Sequence, residues 1–155
     1  MKKDRDTMQT FIRHGTEDCR VCVVGDVMLD KYFYGEVTRI SPEAPVPVTR
    51  VVRTKETLGG AANVAHNLAL LGCHTTVAGY IGDDYHGESL FARFKKRGIG
   101  VGGLVKTAAP TTTKLRVIGG HQQMMRLDFE EMSPAAAREE ARLIHKAKKS
   151  LAAGA

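Results

Sequence analysis

The stretch "ETLGGAANVAHNLALLG", from Glu56 to Gly72, constrains the fold more than any other part of the chain. Two glycines precede a run in which Ala61, Val64, Ala65, Leu68 and Leu71 recur at helical spacing, and Gly72 stands where a left-handed C-terminal residue belongs. Such a helix must bury one face. Short apolar runs flank it: "VCVV" (Val21 to Val24), stopped by Gly25 and Asp26, and "TTVAGYIG" (Thr75 to Gly82). Both read as buried strands of the kind found in parallel sheets. A second helix runs from about Tyr85 to Arg97, with Leu90, Phe91 and Phe94 inward and Gly98 closing it. Strand, helix, strand, helix is the order of an α/β fold, here with only two or three parallel strands.

Two β-prone excursions interrupt that order. "KYFYGEV" and "VPVTRVV" flank "SPEAP", and Pro42, Pro45 and Pro47 exclude a central strand, so an edge hairpin or flap is expected. "TTTKLRVI" and "QMMRLDFE" form a second flap, with a tight turn at Gly119 and Gly120. Alternation puts Lys114 and Arg116 on one face, Leu115 and Val117 on the other, and lets Arg126 and Asp128 share a face on the return strand. Ser133 and Pro134 then read as the cap and first turn of a last helix lined by Ala137, Ala141, Ile144, Ala147 and Leu151.

Composition narrows the function classes. A chain of 155 residues with 43% hydrophobic and 26% charged residues is of ordinary globular type. The charged opening "MKKDRDTMQTFIRHG" has no signal-peptide core, and no later run approaches a membrane span, so a cytoplasmic location without membrane contact is expected. Cys19 and Cys22 form a C-x-x-C, but no second ligand pair accompanies them, so they read as reduced strand residues. A net charge of +6 with few aromatic residues gives no case for nucleic acid; a pocket for phosphorylated metabolites explains it as well.

The candidate site residues follow from position. Asp26 and Asp30 flank the end of the first strand and could grip sugar hydroxyls or a cation; equally, one could be a turn residue and the other a helix cap. Gly59 and Gly60 either expose the helix N-terminus to a ligand or merely let the chain turn, and Asn63 in the first turn can donate and accept there. Lys114, Arg116 and Arg126 offer cationic donors suited to a phosphate, with Asp128 beside them. No Walker-type phosphate loop, kinase H-R-D or G-x-S-x-G elbow occurs, and no catalytic or metal-ligating set is recognised.

The segments "VVGDVMLDKYFYGEVTRISPEAPVPVTRV", "LGGAANVAHNLALLG" and "TTTKLRVIGGHQQMMRLDFEE" resemble the heptose kinases of the ribokinase (PfkB) carbohydrate kinase family, in its N-terminal half. The resemblance implies a ribokinase-like three-layer α/β/α fold with a β lid. Residues 21–155 would form the N-terminal part of the kinase domain, with lid segments at 31–53 and 111–130 and a polar lead-in at 1–20. It implies ATP and Mg²⁺ as cofactors. The implied reaction transfers the ATP γ-phosphoryl group to the anomeric hydroxyl of heptose 7-phosphate, giving the 1,7-bisphosphate for ADP-heptose and lipopolysaccharide core synthesis. By position, Asp30, Gly59, Gly60 and Asn63 match sugar-binding residues, and Lys114 and Arg126 match lid positions.

The family's G-A-G-D motif, which carries the anion hole and catalytic aspartate, does not occur in these residues, so a fragment inactive on its own is expected. A complementary C-terminal kinase half and a homodimer through the lid are the implied partners, besides the sugar phosphate. The alternative is a non-catalytic sugar-phosphate-binding or dimerisation module.

Overall fold

The computed structural model describes residues 15, 16 and 19–152, so most of the predicted 1–20 lead-in lies outside the described residues. Its strands are β1 (Arg20–Val24), β2 (Val27–Ile40), β3 (Pro47–Gly60), β4 (His74–Gly82), β5 (Gly100–Thr107), β6 (Thr113–Gly119) and β7 (Gln122–Phe129). Its helices are α1 (Ala61–Leu70), α2 (Tyr85–Lys96) and α3 (Ala137–Ala152). Two sheets result: a parallel one ordered β1-β4-β5, and a mixed one ordered β3-β2-β6-β7.

The parallel sheet sits between helices. Val77 and Ile81 of β4 face α1 and α2, meeting Ala62, Ala65, Leu90 and Phe94 in the core. Alternation turns Tyr80 to the opposite face, where burial, then Glu140 and Glu139 of α3, push its hydroxyl above the usual tyrosine range. There the Lys146 ammonium of α3 donates to the Leu104 carbonyl of β5 at 2.5 Å. The bases of β2 and β3 add Val27, Leu29 and Leu58 to the α1 side of the core.

Several expectations change. The strand β5 goes unnoticed in a sequence reading because Gly100, Gly102 and Gly103 interrupt its apolar run. Gly103 is required there, since a Cβ would stand 2.6 Å from both the Ala78 Cβ and the Val77 carbonyl oxygen of β4. Among the described residues β1 is an edge strand, with Val24 56% exposed, rather than one buried on both faces. In α1 the inward residues are Ala62 and Ala65, with Ala61 and Ala69 partly buried, while Val64 and Leu71 point to solvent. Alanines let the helix lie close on β4, and the stripe is rotated by about one residue from the one that the larger side chains suggest.

The first flap extends beyond 31–53, because β2 starts at Val27 and β3 runs to Gly60, while the strands of the second lie within 111–130. Pro42 and Pro45 fall in the turn and Pro47 opens the edge strand β3, as proline requires. The second turn is Gly120–His121, since Gly119 pairs with Gln122 and it is Gly120 that adopts φ +60°. Ser133 does not cap α3; it donates its hydroxyl to Glu131 at 2.8 Å, and the helix starts at Ala137. Of the predicted inner line of α3, Ile144 and Leu151 are exposed and Ala147 is half-buried. Gly72 and Gly98 do close their helices, with φ of 91° and 68°.

A charged lid face beside a bare helix start

Asp30 lies within β2, neither in a turn nor at a helix cap. Antiparallel pairing sets it opposite Thr57 of β3, and parallel pairing sets it beside Lys114 of β6, which in turn faces Asp128 of β7. The next row on the same face reads Lys55, Tyr32, Arg116, Arg126 across the four strands. The period of two thus gathers polar groups from four separate segments onto one surface.

Within it, Arg116 Nη1 lies 2.6 Å from Asp30 Oδ1, with both side chains about four-fifths buried. The Arg116 guanidinium also sits over the Tyr32 ring at 5.3 Å, and Arg53 covers Tyr34 at 4.1 Å. Lys114 Nζ is 3.0 Å from both Asp128 and Glu130. Arg126 donates to the two Asp128 oxygens at 2.9 and 3.0 Å. Lys114 first, and Arg126 with it, hold the Asp128 carboxyl below the usual carboxylate range against the opposing effect of burial. Lys114 and Arg126 are therefore partnered cations, organised by Asp128 and Glu130.

The glycine pair adjoins this face. A Cβ on Gly59 would stand 2.7 Å from Asp30 Oδ2, so the space above Gly59 is taken by that carboxylate. Gly60 adopts φ +54°, and a Cβ there would collide with the Asp26 carbonyl oxygen. That oxygen accepts the Ala61 N–H at 2.9 Å. Both glycines are thus demanded by the chain's own packing. No side chain caps α1, however, and Asn63 is exposed in its first turn. The helix start keeps unpartnered donors on its open side.

Asp26 also borders a second place. It lines a cavity of about 660 Å³ at the C-terminal ends of the parallel strands, with Tyr80, Thr107, Thr112, Glu131 and Glu139. Open α/β sheets bind ligands at such crevices. Its lining holds three acidic residues and no basic one, which disfavours a phosphate. The charged lid face, with Lys55, Lys114, Arg116 and Arg126, suits a phosphorylated ligand far better.

The structure therefore brings together Asp30, Gly59, Gly60, Lys114, Arg126 and Asp128, leaves Asn63 nearby at the helix start, and sets Asp26 between that helix start and the acidic cavity. Sequence reasoning missed Tyr32, Arg53 and Lys55, and saw Arg116 only as a flap cation rather than as the partner of Asp30. Alternation from Asp30 to Tyr32 and Tyr34 would have revealed part of the set, had β2 been recognised from Val27 onward.

The profile described as pfkB family carbohydrate kinase matches residues 18–154. The chain belongs to this family. A D-beta-D-heptose 7-phosphate kinase from Bordetella bronchiseptica is 52% identical over 118 residues, which are 76% of this chain and 38% of the relative. A bifunctional protein HldE from Magnetococcus marinus is 54% identical over 111 residues, 71% of this chain and 23% of the relative. The chain thus spans well under half the length of these two curated relatives. A solved ribokinase from Thermotoga maritima superposes with a TM-score of 0.55 at 22% identity, covering 72% of this chain and 36% of that one. A carbohydrate kinase from Agrobacterium tumefaciens gives 0.57 at 20% identity, covering 71% and 35%. These two support the ribokinase-like fold alone.

The kinases of the pfkB family use ATP and a divalent cation. Among the described residues no group of three or more His, Cys, Asp or Glu side chains converges on a cation position. The acidic cavity beside Asp26 likewise lacks the cations that a polyphosphate needs. The described residues do not fit a nucleotide–metal site. No helix among them is long and apolar enough to cross a membrane.

Proposed function

We propose that this pfkB-family chain forms the sugar-side wall and lid of a heptose 7-phosphate kinase. The carrying observation is the Asp30–Arg116 pair beside Gly59, in register with Lys114, Asp128 and Arg126. Asp30 and Asn63 meet the hydroxyls of the sugar, with the uncapped amides of α1 behind them. Arg116, Lys114 and Arg126 receive the phosphate the substrate already carries, because guanidinium groups match phosphate oxygens in pairs. Asp128 and Glu130 hold Lys114 and Arg126 in place, and Asp30 holds Arg116, until the ligand arrives. The names of the relatives, heptose 7-phosphate kinase and HldE, support this choice of sugar.

In this reading the reaction moves the ATP γ-phosphoryl group to the anomeric hydroxyl and yields the 1,7-bisphosphate. These residues bind and orient the acceptor sugar; the proton-accepting aspartate and the anion hole come from a complementary kinase half. Removing either costs roughly a hundredfold or more in rate, so residues 1–155 alone bind without turning over.

Titration calorimetry of the chain with heptose 7-phosphate and with the unphosphorylated heptose tests the reading. Saturable binding that needs the phosphate and weakens in Asp30→Ala supports it; equal affinity for both sugars would overturn it. An ATP-dependent assay with a separately expressed C-terminal half tests the second part, for which the expected result is turnover only in the mixture. Lid-to-lid pairing of two copies is supported by the apolar row of β7, where Met125, Leu127 and Phe129 are 54%, 42% and 52% exposed. Light scattering reads that mass directly.

A further inference from the structure

The three cysteines divide in an unexpected way. Cys19 immediately precedes β1 and Cys22 lies within it, three residues on, so extended backbone turns the two to opposite faces and the C-x-x-C is no vicinal pair. Cys19 instead meets a cysteine far along the chain. Parallel register pairs Arg20 with His74, which makes Cys19 and Cys73 the next pair outward, and the His74 N–H donates to the Cys19 carbonyl at 2.9 Å. Alternation points both side chains to the α1 face, the side of Val21 and Val23 on one strand and of Thr75 and Val77 on the other. Burial first, and the neighbouring Cys19 thiol with it, push the Cys73 thiol above its ordinary range. Paired Cα atoms of neighbouring strands fall within the separation a disulfide spans. One thiol is open and the other enclosed: Cys19 is exposed and Cys73 buried.

We infer that Cys19 and Cys73 form an oxidant-responsive disulfide that staples β1 to β4. With oxidised glutathione, the exposed Cys19 thiolate attacks the glutathione disulfide, giving a mixed disulfide and one glutathione thiolate. The Cys73 thiol, losing its proton to solvent, then attacks Cys19 Sγ and expels the second glutathione thiolate. Two protein thiols are oxidised by two electrons and one glutathione disulfide is reduced to two thiols. The staple closes the loop that holds the whole β2–β3 hairpin and α1, a long loop of the kind that constrains the unfolded chain strongly. Burial keeps Cys73 protonated above the usual thiol range, so the second step quickens as pH rises.

The test incubates the full chain with oxidised glutathione and maps peptides by mass spectrometry without reduction. The expected product is a Cys19–Cys73 cross-linked peptide with Cys22 still alkylatable, a melting temperature several degrees higher, and reversal of both by a thiol reductant. Cys73→Ser should stop at glutathionylated Cys19, and Cys22→Ser should still cross-link. A Cys19–Cys22 peptide, or wild-type Cys19 that stays glutathionylated up to pH 9, would overturn the inference. The wild-type map decides the matter even where a variant fails to fold.

Discussion

Asp30 and Arg116 are 86 residues apart in sequence and 2.6 Å apart in space. Between them the chain completes the first hairpin, two helices and two strands of the parallel sheet before β6 returns to lie beside β2. The pair joins the two flaps into one sheet and gives the candidate site its cation at the point where Asp30 reaches over Gly59.

Replacing Arg116 by Met keeps its length and removes its charge, leaving Asp30 mostly buried without its partner. Stability should fall by about 1–3 kcal/mol, the range for a lost hydrogen bond between charged groups. Affinity for a sugar phosphate should fall at least tenfold. Urea unfolding and calorimetry read the two effects, and unchanged affinity at full folding would remove Arg116 from the site.

Gly59→Ala places a methyl group 2.7 Å from the Asp30 carboxylate and 2.9 Å from Met28 Cγ. Asp30 must move, at a cost of roughly 1–3 kcal/mol as for overpacked sites, and ligand affinity should drop with it. Gly60→Ala adds backbone strain at φ +54° and a collision with the Asp26 carbonyl oxygen, so its melting temperature should fall further. Thermal scans of the two variants side by side check the order.

Asp84 should govern part of the acid sensitivity. Burial alone would raise its carboxyl, but N–H groups of Thr111 and Gly87 and the Thr111 hydroxyl hold it below the usual range. A lowered carboxylate contributes stability above its unfolded value of about 3.9, and loses that contribution as pH falls through the folded value. Asp84→Asn should therefore be less stable near neutrality and lose less on acidification below about pH 4. Urea midpoints from pH 3 to 7 provide the comparison; parallel curves would show that Asp84 plays no such part.

Phe94 and Leu90 of α2 are fully buried in the core cluster. Phe94→Ala should cost about 3–5 kcal/mol and Leu90→Ala about 2–5 kcal/mol through lost burial and the cavity left behind. Denaturant midpoints measure both, and a loss under 1 kcal/mol would place this helix outside the cooperative core.

The parts legible in the sequence were those that local chemistry decides. Apolar runs bounded by glycine marked β1 and β4, helical spacing marked α1 and α2, and Gly72 and Gly98 ended them where a positive φ was needed. Period-two alternation placed Lys114 with Arg116 and Arg126 with Asp128 on common faces, as the ion pairs bear out. The misses depend on partners outside the local pattern. β5 is made a strand by parallel pairing with β4 despite its glycines, α3 starts late because Ser133 has Glu131 for a partner, and Ile144 and Leu151 stay exposed because no element among the described residues covers them.

By itself, then, the sequence determined the alternation of strands and helices, the two β excursions, and a stock of carboxylates, cations and glycines suited to a sugar phosphate. Only the tertiary structure decided that Asp30 takes Arg116 as its partner, that Gly59 makes room for that carboxylate, that Asp26 lines the acidic cavity beside the helix start, and that strand pairing sets Cys19 beside Cys73. The first set depends on interactions within a turn or two of chain. The second depends on strand register between segments far apart, which is fixed by how the whole sheet buries its apolar face.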